Sequence, residues 1–332
     1  MGVGMVYNFP MAGTAPNGCL LLCLICCGGL AQGPPAEPIV SIIPRSRPEP
    51  GAPEVHLRVD SSLVQIPVHA TSSTGSSITD LIAANFRVFE DGIQQKIAYF
   101  VKQDAPLSVG LVFDSSGSMT NKIRKSAQAA AAFFKTANAG DEFFLVEFGD
   151  KPKLQMPFTS DSDEIYRKIS RFRPFGRTSL IDAIQLALVQ MKSARYPRKA
   201  LVILSDGGDN HSRFTRREIK DALLEANVQM YAMGLFDDVA KHTPEEENGP
   251  RLLDEFAVET GGYVYPVSGI DNLESVSVAL GHALRNEYLL GYFPSNPSRD
   301  GKYRRVNVSV DVPSGTPALV LSYRHGYYAP AQ

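Results

Sequence analysis

Between Ala105 and Glu287 the sequence changes its hydrophobic period repeatedly, from short apolar runs to amphipathic stretches and back. Leu107 to Phe113 is a near-continuous apolar run. Asn121 to Asn138 then sets Ile123, Ala127, Ala130, Ala131 and Phe134 on one stripe at helical spacing. The alternation continues with a strand over Glu142 to Phe148 and helices over Asp161 to Phe172 and Ser179 to Ser193. A buried strand follows over Ala200 to Leu204. After it comes a helix over Thr215 to Asn227, with Thr215 as cap and Glu218 at the capping-box position. A strand over Val228 to Phe236, a helix over Arg251 to Thr260, a strand over Tyr263 to Val267 and a helix over Asn272 to Arg285 complete the series. Strands separated by helices of about 10–15 residues imply a mostly parallel sheet covered on both faces. The expected fold class is therefore α/β, doubly wound and Rossmann-like. In such sheets ligands bind beyond the carboxyl ends of the strands, near a topological switch point.

The flanks have a different period. Val64, Ile66 and Val68 alternate with Gln65, Pro67 and His69, and Phe86 to Phe89 leads into the turn signal Glu90-Asp91-Gly92, with another short strand near Ile97 to Phe100. Near the other end Val306, Val308, Val310 and Val312 alternate with Asn307, Ser309 and Asp311. Pro313-Ser314-Gly315 marks a turn, and Ala318 to Tyr323 reads as a last strand. Neither flank has enough strands to be stable alone. The expectation is one small all-β, sandwich-like domain, its N-terminal segment 55–104 pairing with the C-terminal segment 288–332, and the α/β domain 105–287 inserted between them.

Cysteine placement bears on compartment. Cys19, Cys23, Cys26 and Cys27 all lie in the apolar run Cys19 to Leu30, and the rest of the chain has none. That run is shorter than the roughly 20 residues of a membrane span. It reads as the core of a signal peptide over 1–32, with Leu30-Ala31-Gln32 near the cleavage point, although no Lys or Arg precedes Arg45. A lipid on Cys26 or Cys27 is an alternative. Removing the run leaves a thiol-free chain, suited to a secreted, periplasmic or envelope location. Residues 33–54 are rich in proline and read as a stiff linker. A formal net charge of -2, with scattered basic residues, argues against a nucleic-acid surface.

The first apolar run ends in Asp114-Ser115-Ser116-Gly117-Ser118. Asp114, Ser116 and Ser118 are spaced so that a turning loop can aim one carboxylate and two hydroxyls to one side. A second strand end carries Ser205-Asp206-Gly207-Gly208-Asp209-Asn210, and Gly176-Arg177-Thr178 precedes another helix. Together these loops offer two carboxylates and three hydroxyls, the ligand type that hard divalent cations take. Asp114 and Ser116 could also simply cap the following helix. Three separate loops with complementary oxygens favour the metal.

Asp114-x-Ser116-x-Ser118, with Thr178 and then Asp206-Gly207, resembles the metal-ion-dependent adhesion site of von Willebrand factor type A domains. The resemblance spans roughly Ala105 to Glu287. Phe86-Arg87-Val88-Phe89-Glu90-Asp91-Gly92, Tyr288-Leu289-Leu290-Gly291-Tyr292 and Gly326-Tyr327-Tyr328 further resemble the type A-related proteins of acidobacteria. It implies Mg²⁺, or Mn²⁺ or Ca²⁺, with Ser116 and Ser118 as direct ligands and Thr178 direct or through water. Asp114 and Asp206 would act mainly through water or as hydrogen-bond partners. It also implies a non-enzymatic protein-binding or adhesive role, with the ion taking an acidic side chain from a partner. Arg177 departs from the family pattern, since such loops often carry Gly there. Its guanidinium would favour an acidic ligand or pair with Asp209. Asp209 and Asn210 either reach the metal loop or cap the adjacent helix.

Rival readings are a metal-stabilised structural envelope protein and a metal-dependent hydrolase. The second lacks support in the motifs. Asp114 stands where a G-x-S-x-G elbow has its first glycine, and neither a P-loop nor H-E-x-x-H occurs.

Overall fold

The computed structural model describes residues 63–72, 77–103, 105–236, 244–267, 270–312 and 319–331. The expected signal peptide 1–32, the linker 33–54, and the turn at 313–315 lie outside the described residues.

Four strands come first: β1 (Val64–Ser72), β2 (Phe86–Glu90), β3 (Ile93–Gln95) and β4 (Ile97–Gln103). The alternating segment is then β5 (Ser108–Asp114), α1 (Ile123–Phe134), β6 (Glu142–Phe148), β7 (Lys153–Thr159), α2 (Ser162–Ile169), α3 (Leu180–Met191), β8 (Lys199–Ser205), α4 (Arg216–Ala226), β9 (Gln229–Gly234), α5 (Pro244–Thr260), β10 (Val264–Pro266) and α6 (Leu273–Arg285). The chain closes with β11 (Glu287–Tyr292), β12 (Tyr303–Val310), β13 (Leu319–Tyr323) and β14 (Gly326–Tyr328).

The central sheet has the order β10-β9-β8-β5-β6-β7 and is parallel except for its edge strand β7. β5 is buried at every position, as its apolar run requires. Val109, Leu111 and Phe113 face a core shared with α1, α2 and α6, whereas Val112 faces one shared with α3, α4 and α5. The sheet is thus covered on both sides, as its sequence period implies. Thr215 caps α4 by accepting from the Glu218 amide, and Glu218 answers with a carboxylate to the Thr215 amide. Asn227, left-handed at φ 51°, ends the helix.

The flanking strands form two antiparallel sheets, β13-β1-β11-β4 and β14-β12-β2-β3. N- and C-terminal strands interleave in both: β1 pairs with β11 and β13, and β2 with β12. Ile66, Val68, Phe86, Tyr288, Leu290 and Val306 share one core between the sheets. β3, β11 and β14 carry little period of their own in the sequence. β7, a half-buried edge strand containing Pro157, does carry one: Leu154, Met156 and Phe158 alternate with Lys153, Gln155, Pro157 and Thr159, although the expected series has no strand there. Among the described residues no helix is long and apolar enough to cross a membrane.

Candidate metal centre

β5 lies between β6, reached by α1, and β8, reached later from the other side, so the order in which strands are added reverses at the β5–β8 boundary. Phe113 and Leu204 are partners in register there, one residue before Asp114 and Ser205 respectively. Both acidic loops therefore leave the same edge at the switch point, where a doubly wound sheet opens a crevice.

Backbone hydrogen bonds bind the three loops together. The Phe175 amide donates to the Ser115 carbonyl (2.9 Å) and the Gly117 amide to the Gly176 carbonyl (3.1 Å). Asn210 and His211 each donate an amide to the Thr178 carbonyl at 3.0 Å, while Asn210 Oδ1 accepts from the Thr178 amide at 3.0 Å. Gly176 and Gly207 hold φ near +80°. A Cβ at Gly207 would stand 2.6 Å from the Gly249 carbonyl oxygen, so both backbone and space require glycine there.

Asp114 is fully buried and Asp206 is 7% exposed. Asp114 Oδ1 accepts from the Ser116 amide (2.8 Å), and Oδ2 accepts from the Ser205 hydroxyl (2.5 Å). Burial first, and then the charge of Asp206, pushes the Asp114 carboxyl up to about 7, against the pull of its bonds from Ser116 and Ser205. Ser116 Oγ and Ser118 Oγ are 3.1 Å apart. Ser116 is buried and Ser118 exposed, so the row Asp114, Ser116, Ser118 rises from the sheet edge to solvent. Thr178 is buried on the neighbouring loop.

Two buried acids at close quarters, with hydroxyls beside them, form an all-oxygen donor set with excess negative charge. That composition fits a hard cation that keeps some water ligands. Among the described residues no group of three or more His, Cys, Asp or Glu side chains could hold a metal. A site of this composition would depend on its hydroxyls.

The neighbouring residues divide clearly. Asp209 Oδ1 accepts from the Ile181 amide (3.2 Å) and the Ser212 hydroxyl (2.5 Å), so it serves the start of α3, the helix-capping alternative. Arg177 does not pair with Asp209. Its Nη1 lies 3.3 Å from His211 Nδ1, and its amide donates to Asp150 Oδ1 at 2.7 Å. Ser205 is the participant that sequence reasoning did not single out as a site residue. It also accepts from the Gly207 amide at 2.9 Å. The signal was available, since Ser205 ends the buried strand immediately before Asp206.

Residues 109–208 match the family model of the von Willebrand factor type A domain. No curated protein matches the sequence. Among solved structures, the chain is similar to a von Willebrand factor type A protein from Catenulispora acidiphila at 13% identity and a TM-score of 0.46, covering 82% of this chain and 75% of that one. It is also similar to an aerotolerance-related membrane protein from Bacteroides fragilis (18% identity, TM-score 0.45, 54% and 98% covered). A third is proximal thread matrix protein 1 of the mussel byssus (18% identity, TM-score 0.48, 59% and 51% covered).

Proposed function

We propose that this chain is a non-enzymatic recognition protein that binds a partner protein through a divalent cation held by Asp114, Ser116, Ser118, Thr178 and Asp206. The observation that carries the reading is the meeting of three loops around two buried carboxylates at the switch point, with the Ser116 and Ser118 hydroxyls 3.1 Å apart. Mg²⁺ is the ion of first choice, with Mn²⁺ or Ca²⁺ as substitutes. Bound there, the ion supplies a Lewis-acidic point for a partner's carboxylate.

The protein's own residues do the rest. Ser205 and the Ser116 amide orient the Asp114 carboxylate from both sides. Asn210 fixes the Thr178 amide.

The domain scheme belongs to the same proposal: export by residues 1–32, a tether over 33–54, and residues 105–287 inserted into a pedestal built from 55–104 and 288–332. On the flanking motifs we place the chain with the acidobacterial type A-related proteins, acting in the periplasm, at the envelope or outside the cell.

The test is a pull-down from envelope extracts with Mg²⁺ and with EDTA, alongside Mg²⁺ titration calorimetry. The expected result is Mg²⁺ binding and partner capture, both lost in Ser116→Ala. Capture that survives both EDTA and that substitution sinks the reading. Mg²⁺ that raises stability while no partner binds favours the structural alternative.

A further inference from the structure

The segment between α2 and α3 reads Arg171-Phe172-Arg173-Pro174-Phe175-Gly176-Arg177. Its side chains fall into two sets. Phe172 is buried, its ring edge-on to Phe113 at 5.7 Å between centroids. Arg171, Arg173 and Arg177 are exposed, and Phe175 is 76% exposed.

The outward-facing set is held in place. The Phe175 amide is bonded to Ser115, the Gly176 carbonyl to Gly117, and the Arg177 amide to Asp150. Gly176 sits at φ +80°, and a Cβ there would lie 2.6 Å from the Asp150 carboxylate. Phe175 therefore stands in water on a braced backbone, directly beside the Asp114–Ser118 loop. Large apolar side chains fixed in that way mark interaction surfaces when charged groups rim them.

The outward side chains Arg171, Arg173 and Arg177 are all positive, while the Asp150 carboxylate lies against the loop backbone. Among the described residues no carboxylate forms an ion pair with Arg171, Arg173 or Arg177. On the loop before α4, Arg213 adds a guanidinium that is 87% exposed, its Nε 3.4 Å from Asp182 in the first turn of α3. Such a rim exerts its field over about 8–10 Å at physiological salt, enough to act on residues next to a docked side chain.

We infer that Arg171, Arg173, Phe175, Arg177 and Arg213 form a selectivity rim for an acidic protein segment. Its central carboxylate enters the site, its flanking carboxylates face the arginines, and an apolar side chain covers Phe175. This rests on the metal-dependent reading above and adds the chemistry of the partner around the contact point. Arginine and phenylalanine suit such a contact because both gain most when desolvated against a complementary group.

The test uses the full chain and fluorescein-labelled synthetic peptides in an anisotropy titration. Each peptide has one central Asp, flanked by Glu and Leu, by Ser alone, or by Lys. The Glu/Leu peptide is expected to bind about tenfold tighter than the Ser peptide at low salt, the sum of several exposed charge contacts. Raising salt from about 50 to 500 mM should shrink that advantage. Arg171→Ser combined with Arg173→Ser should remove most of it, and Phe175→Ser should remove the part that salt leaves. Thermal unfolding of each variant near the wild-type midpoint confirms that the fold is kept. Equal affinity for the Glu/Leu and Ser peptides, no measurable binding of any peptide, or equally tight binding of an oligodeoxynucleotide of the same charge overturns the inference. Charge-selective binding that persists in EDTA supports the rim while removing the metal beneath it.

Discussion

The Ser205 hydroxyl donates to Asp114 Oδ2 across 2.5 Å, joining the carboxyl ends of β8 and β5 directly under the proposed metal centre. The same oxygen accepts from the Gly207 amide. Ser205→Ala therefore leaves a buried carboxylate short of a donor and a buried amide short of an acceptor. The expected cost is about 1–3 kcal/mol of stability per group left unsatisfied. Mg²⁺ affinity should fall as well, because the Asp206 loop loses its anchor. Urea unfolding in EDTA and calorimetric titration check the two effects separately. An unchanged unfolding midpoint would show that water replaces the hydroxyl without loss.

Asp114 and Asp206 are like charges held close in a buried place, an arrangement that a bound cation, or a proton on Asp114, makes favourable. Asp114→Asn keeps the shape and can still accept from the Ser116 amide. In EDTA the variant is expected to be at least as stable as the wild type. With Mg²⁺ the order reverses, because only the wild type gains from binding, by about 2.7 kcal/mol at a hundred times its Kd. Thermal scans with and without the ion decide the matter. A wild type that does not respond to Mg²⁺ ends the metal reading.

Much of this architecture was legible because the period of the sequence follows burial. The span Glu142 to Phe148 is both the expected and the observed strand, since it is apolar and central. The capping box at Thr215 was readable because its side-chain bonds join residues three apart in the sequence. β3 was not readable, since three residues of an edge strand carry little apolar pattern, whereas in β7 the alternation of Leu154, Met156 and Phe158 was there to be read. α5 starts at Pro244, earlier than the expected Arg251, in a stretch of Glu and Asn with little amphipathic signal. At the site, residues that follow buried strands announced themselves by position. Whether Asp209 served the loop or the helix depended on a contact with Ile181, distant in sequence, which no local rule contains.

His69 gives the fold a pH dependence whose sign can be worked out. It lies 3% exposed in β1, with Nε2 3.0 Å from the Ser77 hydroxyl. Burial lowers its pKa, partly offset by the charge of Glu287. The unfolded chain takes up a proton near pH 6.5 while the folded chain resists it, so stability falls as pH drops through that value and below. His69→Gln should flatten the slope between about pH 7 and pH 5, where one proton contributes at most about 1.4 kcal/mol per pH unit. Chemical unfolding of both proteins across that range is the measurement. Parallel curves would assign the acid sensitivity to other groups.

Arg198 sits where the chain passes between the β sandwich and the α/β sheet. Its Nη1 donates to the Ala105 carbonyl before β5, and its Nη2 to the Leu284 carbonyl near the end of α6, both at 2.7 Å. The same Nη2 lies 3.0 Å from Glu287 Oε2, in the first residue of β11. Gln229 and the Tyr231 hydroxyl complete the Glu287 carboxylate at 2.9 and 3.1 Å, and burial first, then the Glu287 charge, keeps the Tyr231 phenol protonated as a donor. One guanidinium thus ties both crossings to one buried acid. Breaking such a pair from one side strands a charge, at a cost of about 3–5 kcal/mol. Glu287→Gln and Arg198→Met should each approach that cost, and the double variant should cost less than their sum because neither charge is left alone. Urea unfolding of the four proteins gives the coupling. If residues 105–287 are an inserted domain, losing the clamp should also split unfolding into two transitions, seen as fluorescence and circular dichroism curves that no longer coincide. Coincident curves in every variant would mean that the sandwich and the α/β sheet fold as one unit and that the insertion is one of topology alone.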